Sequence, residues 1–256
     1  MTNKPVNGIN MRKSVLLIAL ASIVMSLNLP VSAQQNNMDS LLQRLQEFGS
    51  IPGVSVERIR KTHGYVDLGL SVKWATCNVG ASSPEESGTY FAWGETETKT
   101  TDYTESNYAL LESVILWSGD DASGVIYTFE RYNQDDKKDN LESNDDVAHA
   151  KWGGNWRMPT KDECQELIDN CTCTWDTING VYGFRVTSNK TGYEGRSIFL
   201  PAIGKGEVVQ LYSATKDNKN EELAYVIAGK RDNATSTLCI GRVSRCSAQF
   251  VRPVCP

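Results

Sequence analysis

The chain has 256 residues, of which 40% are hydrophobic and 22% are charged, and its formal net charge is −5. This is an ordinary globular balance, with enough apolar material for one sizeable core. An acidic chain without a basic stripe repels phosphate backbones, so we expect no nucleic-acid partner.

The N-terminal residues have the pattern of an export signal. An Arg-Lys pair precedes the apolar run Ser14–Leu29, and small residues follow it up to Ala33. This pattern predicts a signal peptide over residues 1–33, cleaved after Ala33, with Met1 or Met11 as the start. The alternative is a transmembrane anchor, because the run approaches the minimum spanning length. The polar residues after Ala33 favour the signal, so we expect a secreted, periplasmic or outer-surface protein without a membrane anchor after cleavage.

The mature chain divides into a short leader and a main domain. Residues 34–62 read as a short helix, "MDSLLQRLQEFGS", followed by a linker. From residue 63 to residue 256 the pattern changes to short strands separated by polar turns. Few helices and mainly antiparallel strands predict an α+β domain.

The best-defined local signal lies in the stretch "GGNWRMPTKDECQELIDNC". Thr160 is placed as an N-cap, and Glu163 completes a capping box three residues later. The helix is expected from about residue 161 to residue 170, with Leu167 and Ile168 on its buried side.

Two regions are predicted to form loops that face a ligand. Residues 97–146 form a long polar tract with only small apolar islands, and residues 203–242 contain further polar turns. Long surface loops on a rigid scaffold are where binding residues tend to lie.

The sequence holds no recognisable catalytic set. Its two histidines lie outside any zinc or triad pattern, so no catalytic residue is predicted. The acidic loop "NLESNDD" offers Glu142, Asp145 and Asp146 as candidate calcium ligands, although the spacing is not that of an EF-hand. No other cofactor is expected.

Aromatic side chains supply the candidate ligand-binding residues, because aromatic rings stack on sugars and anchor protein interfaces. Trp93 and Trp117 border the long polar region and are the leading surface candidates. The full set of candidates is Trp93, Trp117, Tyr103, Tyr108 and Tyr212.

The seven cysteines suit an exported protein, in which disulfides persist, and their odd number leaves at least one unpaired in a monomer. We predict one bridge between Cys77 and Cys171 and another between Cys239 and Cys246. Either bridge requires Cα atoms within about 7 Å of each other.

Several separated segments carry a family likeness: "HGYVDLGLSVKWATCNVG", "WRMPTKDECQELIDNCTCTW", "NGVYGFRVTSN", "SIFLPAIG" and "FVRPV". Together they resemble the Fibrobacter succinogenes major paralogous domain family, and the Legionella collagen-like C-terminal domains are similar over the same ground. The resemblance implies a C-type-lectin-like fold over residues 63–256, in bacterial surface or exported proteins mostly without an assigned activity. It favours a non-catalytic, adhesin-like binding module for a glycan or protein ligand.

Two other functions stay open. "WRMPTKDECQELI" also resembles a segment of the formylglycine-generating enzymes, which bind copper through two cysteines. Cys239 and Cys246 lie in a comparable region, but their six intervening residues exceed the spacing of those enzymes. The alternatives are therefore a copper-dependent oxidase and a structural subunit of a surface assembly.

Overall fold

The computed structural model describes residues 63–118, 121–203, 208–231 and 237–256. The chain divides into two units, Met1–Tyr65 and Val66–Pro256, and almost all described residues belong to the second. The predicted signal peptide and N-terminal helix lie outside the described residues.

The described residues form short strands, two α-helices and one 3₁₀ turn. The strands are β1 (Tyr65–Val66), β2 (Lys73–Ala75), β3 (Tyr90–Ala92), β4 (Leu111–Ser118), β5 (Asp121–Phe129), β6 (Cys171–Ile178), β7 (Val181–Ser188), β8 (Ser197–Pro201), β9 (Val208–Lys216), β10 (Leu223–Lys230), β11 (Thr237–Ser244), β12 (Ala248–Phe250) and β13 (Val254–Cys255). The helices are α1 (Val147–Trp152) and α2 (Lys161–Asn170), and the 3₁₀ turn spans Glu105–Asn107.

Four sheets hold these strands. Their orders are β1-β2-β13, β11-β10-β9-β12-β3, β4-β5 and β6-β7-β8. The pairings among β2 to β13 are antiparallel except for a parallel bridge in which Phe250 of β12 faces Leu211 of β9. The predicted α+β class, with mainly antiparallel strands and few helices, is confirmed at this level.

Helix α2 has the predicted bounds and the predicted cap. Thr160 Oγ1 accepts from Glu163 N at 3.3 Å, and a Glu163 carboxylate oxygen accepts from Thr160 N at 2.8 Å. Cys164 and Leu167 are fully buried, whereas Ile168 is only half-buried. The buried face of α2 is therefore formed by Cys164 and Leu167, which lie three residues apart, and Ile168 lies at the edge of this face.

The polar tract 97–146 is more regular than its composition predicts. Strands β4 and β5 pair along their length, from Leu111 opposite Phe129 to Ser118 opposite Asp121. The two apolar islands of the tract therefore form a β-hairpin, because each supplies the other's backbone partners. The expectation of long loops is wrong for this part of the tract.

The cysteines are all free thiols, so neither predicted disulfide is formed. Cys239 lies within β11 and Cys246 beyond its end, not on facing strands. The five steps from Cys239 to Ser244, the last residue of β11, span about 17 Å at the rise of an extended strand, so Cys246, two residues further on, lies beyond disulfide reach. Cys77 follows β2, whereas Cys171 opens β6 in a different sheet.

Within the described ranges, none of the helices combines the length and the apolar character needed to cross a bilayer.

Candidate functional site

An exposed aromatic cluster lies at the edge of the five-stranded sheet. Tyr90 begins the edge strand β3, and 50% of its surface is exposed. Phe250 of β12 pairs directly with it across the sheet, and the two ring centroids lie 5.7 Å apart. Tyr103 also lies with its ring centroid 5.7 Å from that of Tyr90. We call these three residues the Tyr90 surface.

Edge-to-face packing holds the three rings. The planes of Tyr90 and Phe250 meet at 89°, and those of Tyr90 and Tyr103 meet at 62°. Such pairs add about 0.5–1.5 kcal/mol beyond area burial. Tyr90 is therefore supported by two neighbours while half of its surface still faces solvent.

The Tyr103 hydroxyl ties the loop to the edge strand. It donates to the Tyr90 carbonyl oxygen at 3.1 Å and accepts from Lys99 N at 3.2 Å. A sheet edge otherwise presents unpaired backbone groups that template further pairing. The Tyr103 hydroxyl thus occupies the Tyr90 carbonyl oxygen, whereas the Tyr90 ring stays accessible to solvent.

The positive charge of Lys99, beside the Tyr90 surface, is neutralised by an ion pair with Glu95. Lys99 Nζ lies 2.6 Å from Glu95 Oε1 and 5.6 Å from the centroid of the Tyr103 ring, and it also donates to the Asn107 carbonyl. Glu95 is buried and accepts a further bond of 2.7 Å from Ala109 N. Lys99 therefore positions the loop, and it does not present a free cation.

The structure corrects the predicted exposure of Trp93, Tyr108 and Tyr212. Their exposed fractions are 0%, 3% and 1%, so they are core residues. Trp93 Nε1 donates to the Ser213 carbonyl at 2.9 Å, and Tyr108 Oη donates to the Trp93 carbonyl at 2.5 Å. Tyr212 Oη donates to the Ser244 carbonyl at 2.7 Å. Burial raises the pKa of both tyrosines, which keeps them neutral donors.

A buried arginine, which sequence reasoning missed, organises the core beneath this region. The Arg245 guanidinium lies 4.6 Å from the Trp93 ring and 4.2 Å from the Phe129 ring. It also donates to the carbonyls of Tyr132 and Glu221, at 3.1 and 3.0 Å. No local pattern in "RVSRCSA" marks this arginine as interior, because its partners come from distant segments.

The candidate calcium ligands are not arranged around a common point. Asp145 is buried, accepts from Tyr132 Oη at 2.6 Å and pairs with Arg131. Glu142 is exposed and pairs with Lys138 at 3.0 Å. In the part of the chain that the structure describes, no group of three or more His, Cys, Asp or Glu side chains is placed to hold a metal ion.

Asp146 has a local structural role. Its carboxylate caps α1 by accepting from His149 N at 3.0 Å, and it also accepts from Met158 N at 2.8 Å. Burial raises the pKa of Asp146, although these backbone bonds oppose the shift. The side chain therefore joins α1 to the segment that leads into α2.

Of the two remaining candidate ligand-binding residues, Tyr103 lies at the surface as part of the Tyr90 surface. The backbone of Trp117 lies in β4, opposite Ala122, and its side chain is outside the described residues. No alternation in "TYFAW" marks Tyr90 as exposed, because Ala92, two residues further on and on the same face of the strand, is as buried as Phe91.

Comparisons with protein-family models, with curated proteins and with solved structures find no match to this chain.

Proposed function

We propose that the protein is a secreted or cell-surface binding module that holds a glycan ring at the Tyr90 surface and catalyses no reaction. The observation that carries this proposal is the half-exposed Tyr90 ring, fixed between Phe250 and Tyr103. A preorganised aromatic ring loses little conformational entropy when a ligand packs on it.

The chemistry of the Tyr90 surface favours a neutral sugar. The ring offers an apolar face to the C–H groups of a pyranose, and the neighbouring cation is already paired with Glu95. The exposed Glu105 carboxylate, on the 3₁₀ turn that follows Tyr103, can accept hydrogen bonds from hydroxyl groups. A protein ligand would need a larger apolar patch than three rings provide.

The proposed fold is C-type-lectin-like, and the proposed family is the Fibrobacter succinogenes major paralogous domain family. Mainly antiparallel sheets with few helices support this fold. The residues that carry the resemblance include the capping box of α2, which forms as predicted. Export rests on the N-terminal pattern up to Ala33, and an N-terminus at Gln34 in the exported protein would support it.

A glycan array tests the binding proposal. We expect the full chain to bind at least one neutral glycan, Tyr90→Ala to weaken that signal at least tenfold, and Tyr90→Phe to retain it. The Tyr90→Phe variant is the matched control because it keeps the ring and removes only the hydroxyl. An array without signal, or equal binding by wild type and Tyr90→Ala, would overturn the proposal. A protein ligand that depends on Tyr90 would replace the glycan as the bound class.

A further inference from the structure

A second exposed aromatic side chain lies on a different sheet. Tyr182 of β7 is 44% exposed, and with Tyr90 it is one of two large hydrophobic side chains exposed among the described residues. It belongs to the sheet β6-β7-β8, whereas Tyr90 belongs to the five-stranded sheet. The two rings therefore define separate surfaces.

The Tyr182 ring has a rigid support. It stacks on Trp175 of β6, with ring planes 14° apart and centroids 6.4 Å apart. Trp175 in turn packs edge-on against the fully buried Phe184, with centroids 4.9 Å apart. Register places Tyr182 opposite Thr177, which is also exposed. The Tyr182 ring is therefore supported by side chains of β6 and β7, so its orientation does not depend on a loop.

An arginine that has no acid partner among the described residues lies beside this ring. The Arg231 guanidinium carbon is 5.8 Å from the Tyr182 centroid, and Arg231 is exposed. Among the described residues it has no carboxylate and no carbonyl partner. The other described arginines either pair with an acid or are buried against carbonyls: Arg131, Arg157, Arg185, Arg196 and Arg242 in the first group, Arg245 and Arg252 in the second.

We propose that Trp175, Tyr182 and Arg231 form a second site, which binds an acidic saccharide that carries a carboxylate. The pyranose ring packs on Tyr182, and the carboxylate accepts a bidentate pair of hydrogen bonds from Arg231. A guanidinium matches the planar geometry of a carboxylate and is always charged at neutral pH. The chain as a whole carries a net charge of −5, so the attraction for a carboxylate is confined to the neighbourhood of Arg231.

The size of the surface favours a sugar over an acidic peptide. One half-exposed ring and one cation match a single charged sugar residue. A specific protein interface instead buries about 800 Å² on each partner. The Tyr90 surface differs in charge, because Lys99 is there paired with Glu95. The two surfaces are therefore expected to prefer neutral and acidic sugars respectively.

The experiment uses the full chain and an oligogalacturonide, with its methyl ester as the matched neutral probe. We expect calorimetry to show binding of the acid, at least tenfold weaker binding of the ester, and weaker binding of the acid as salt increases. Arg231→Gln and Tyr182→Ala should each weaken binding of the acid at least tenfold. Arg242→Gln, at an exposed arginine paired with Asp217, should leave it unchanged.

Several outcomes would overturn the second site: no binding of the acid, equal binding of acid and ester, unchanged affinity in Arg231→Gln, or a preference for hexaglutamate over the saccharide. A Tyr90→Ala variant separates this proposal from the first one. It should retain the oligogalacturonide while losing the neutral glycan, and loss of both would overturn the independence of the two surfaces.

Discussion

Arg252 Nε donates a hydrogen bond of 2.7 Å to Asn78 Oδ1 across 174 residues of sequence, and both residues are buried. The same guanidinium donates to the carbonyls of Ala75, Thr76 and Phe199, at 3.0, 2.8 and 2.8 Å. One side chain near the C-terminus therefore connects the segment after β2 with β8.

Substitution of this arginine should destabilise the fold severely. Arg252→Met removes the donor of all four hydrogen bonds, three of them to acceptors in buried residues, and we expect the free energy of unfolding to fall by about 3–5 kcal/mol. Chemical denaturation monitored by tryptophan fluorescence measures this loss. Lys138→Met, which removes an exposed ion pair with Glu142, is the comparison and should cost less than about 1 kcal/mol. A similar loss in both variants would contradict the proposed role of Arg252.

Glu163 should give the fold an acid-sensitive contribution. Burial alone would raise the pKa of Glu163, but hydrogen bonds from Arg157 and Thr160 and the Arg157 charge outweigh it and lower the pKa. A lowered pKa in the folded state means that this stability is present above the unfolded value of about 4.3 and is lost as pH falls through the folded value. Glu163→Gln keeps the cap geometry without the charge.

We expect Glu163→Gln to lower the free energy of unfolding by about 1 kcal/mol at pH 7. Below the folded pKa of Glu163 the two proteins should be equally stable, because the carboxyl group is then neutral in the wild type as well. Denaturation curves across the acidic range check this. The Arg157→Gln variant completes a double-mutant cycle, because the coupling should disappear when either partner is neutral. A difference between wild type and Glu163→Gln that did not change with pH would show that the charge is irrelevant.

Gly183 marks a close approach between β7 and β8. A Cβ atom there would lie 2.3 Å from the Leu200 carbonyl oxygen and 2.6 Å from Phe199 Cζ. Because a backbone atom cannot move aside cheaply, Gly183→Ala should lower the free energy of unfolding by about 1–3 kcal/mol. Gly241→Ala is the milder comparison, since its nearest neighbour is Ala228 Cβ at 3.0 Å. Thermal unfolding that ranked Gly241→Ala as the worse variant would refute this packing.

The cysteines should differ in their reaction with an alkylating reagent. Cys239 is exposed on β11, whereas Cys164 is fully buried in α2 and burial raises its pKa. The thiolate is the reactive form, so native alkylation should modify Cys239 first and Cys164 last. Mass spectrometry of time points gives the order, and alkylation after unfolding without reductant should reach all seven cysteines. A mass that leaves two cysteines unmodified would indicate a disulfide in solution.

Local signals in the sequence predicted the elements well. Thr160 and Glu163 set the start of α2 because a cap involves residues three apart. Short strands separated by polar turns were expected after residue 63, and β6 to β11 form such a series. These features depend on neighbouring residues, so no knowledge of the tertiary fold was needed.

The candidate site could be predicted only in part, because pairing between distant segments decides which aromatic rings are buried. Tyr103 was expected at a surface and contributes to the Tyr90 surface. Trp93 was also expected there, but it lies in the core beside Arg245. Its solvent exposure depends on the segment around residue 245, which no local pattern connects to it.

The sequence by itself determined the helix cap, most of the strands and the α+β class. Only the tertiary structure decided that Tyr90 and Tyr182 face outward, that Arg245 and Arg252 face inward, and that Arg231 lies beside Tyr182 without a carboxylate partner among the described residues. Caps and turns are set by residues a few positions apart, whereas burial is set by strands that meet from opposite ends of the chain.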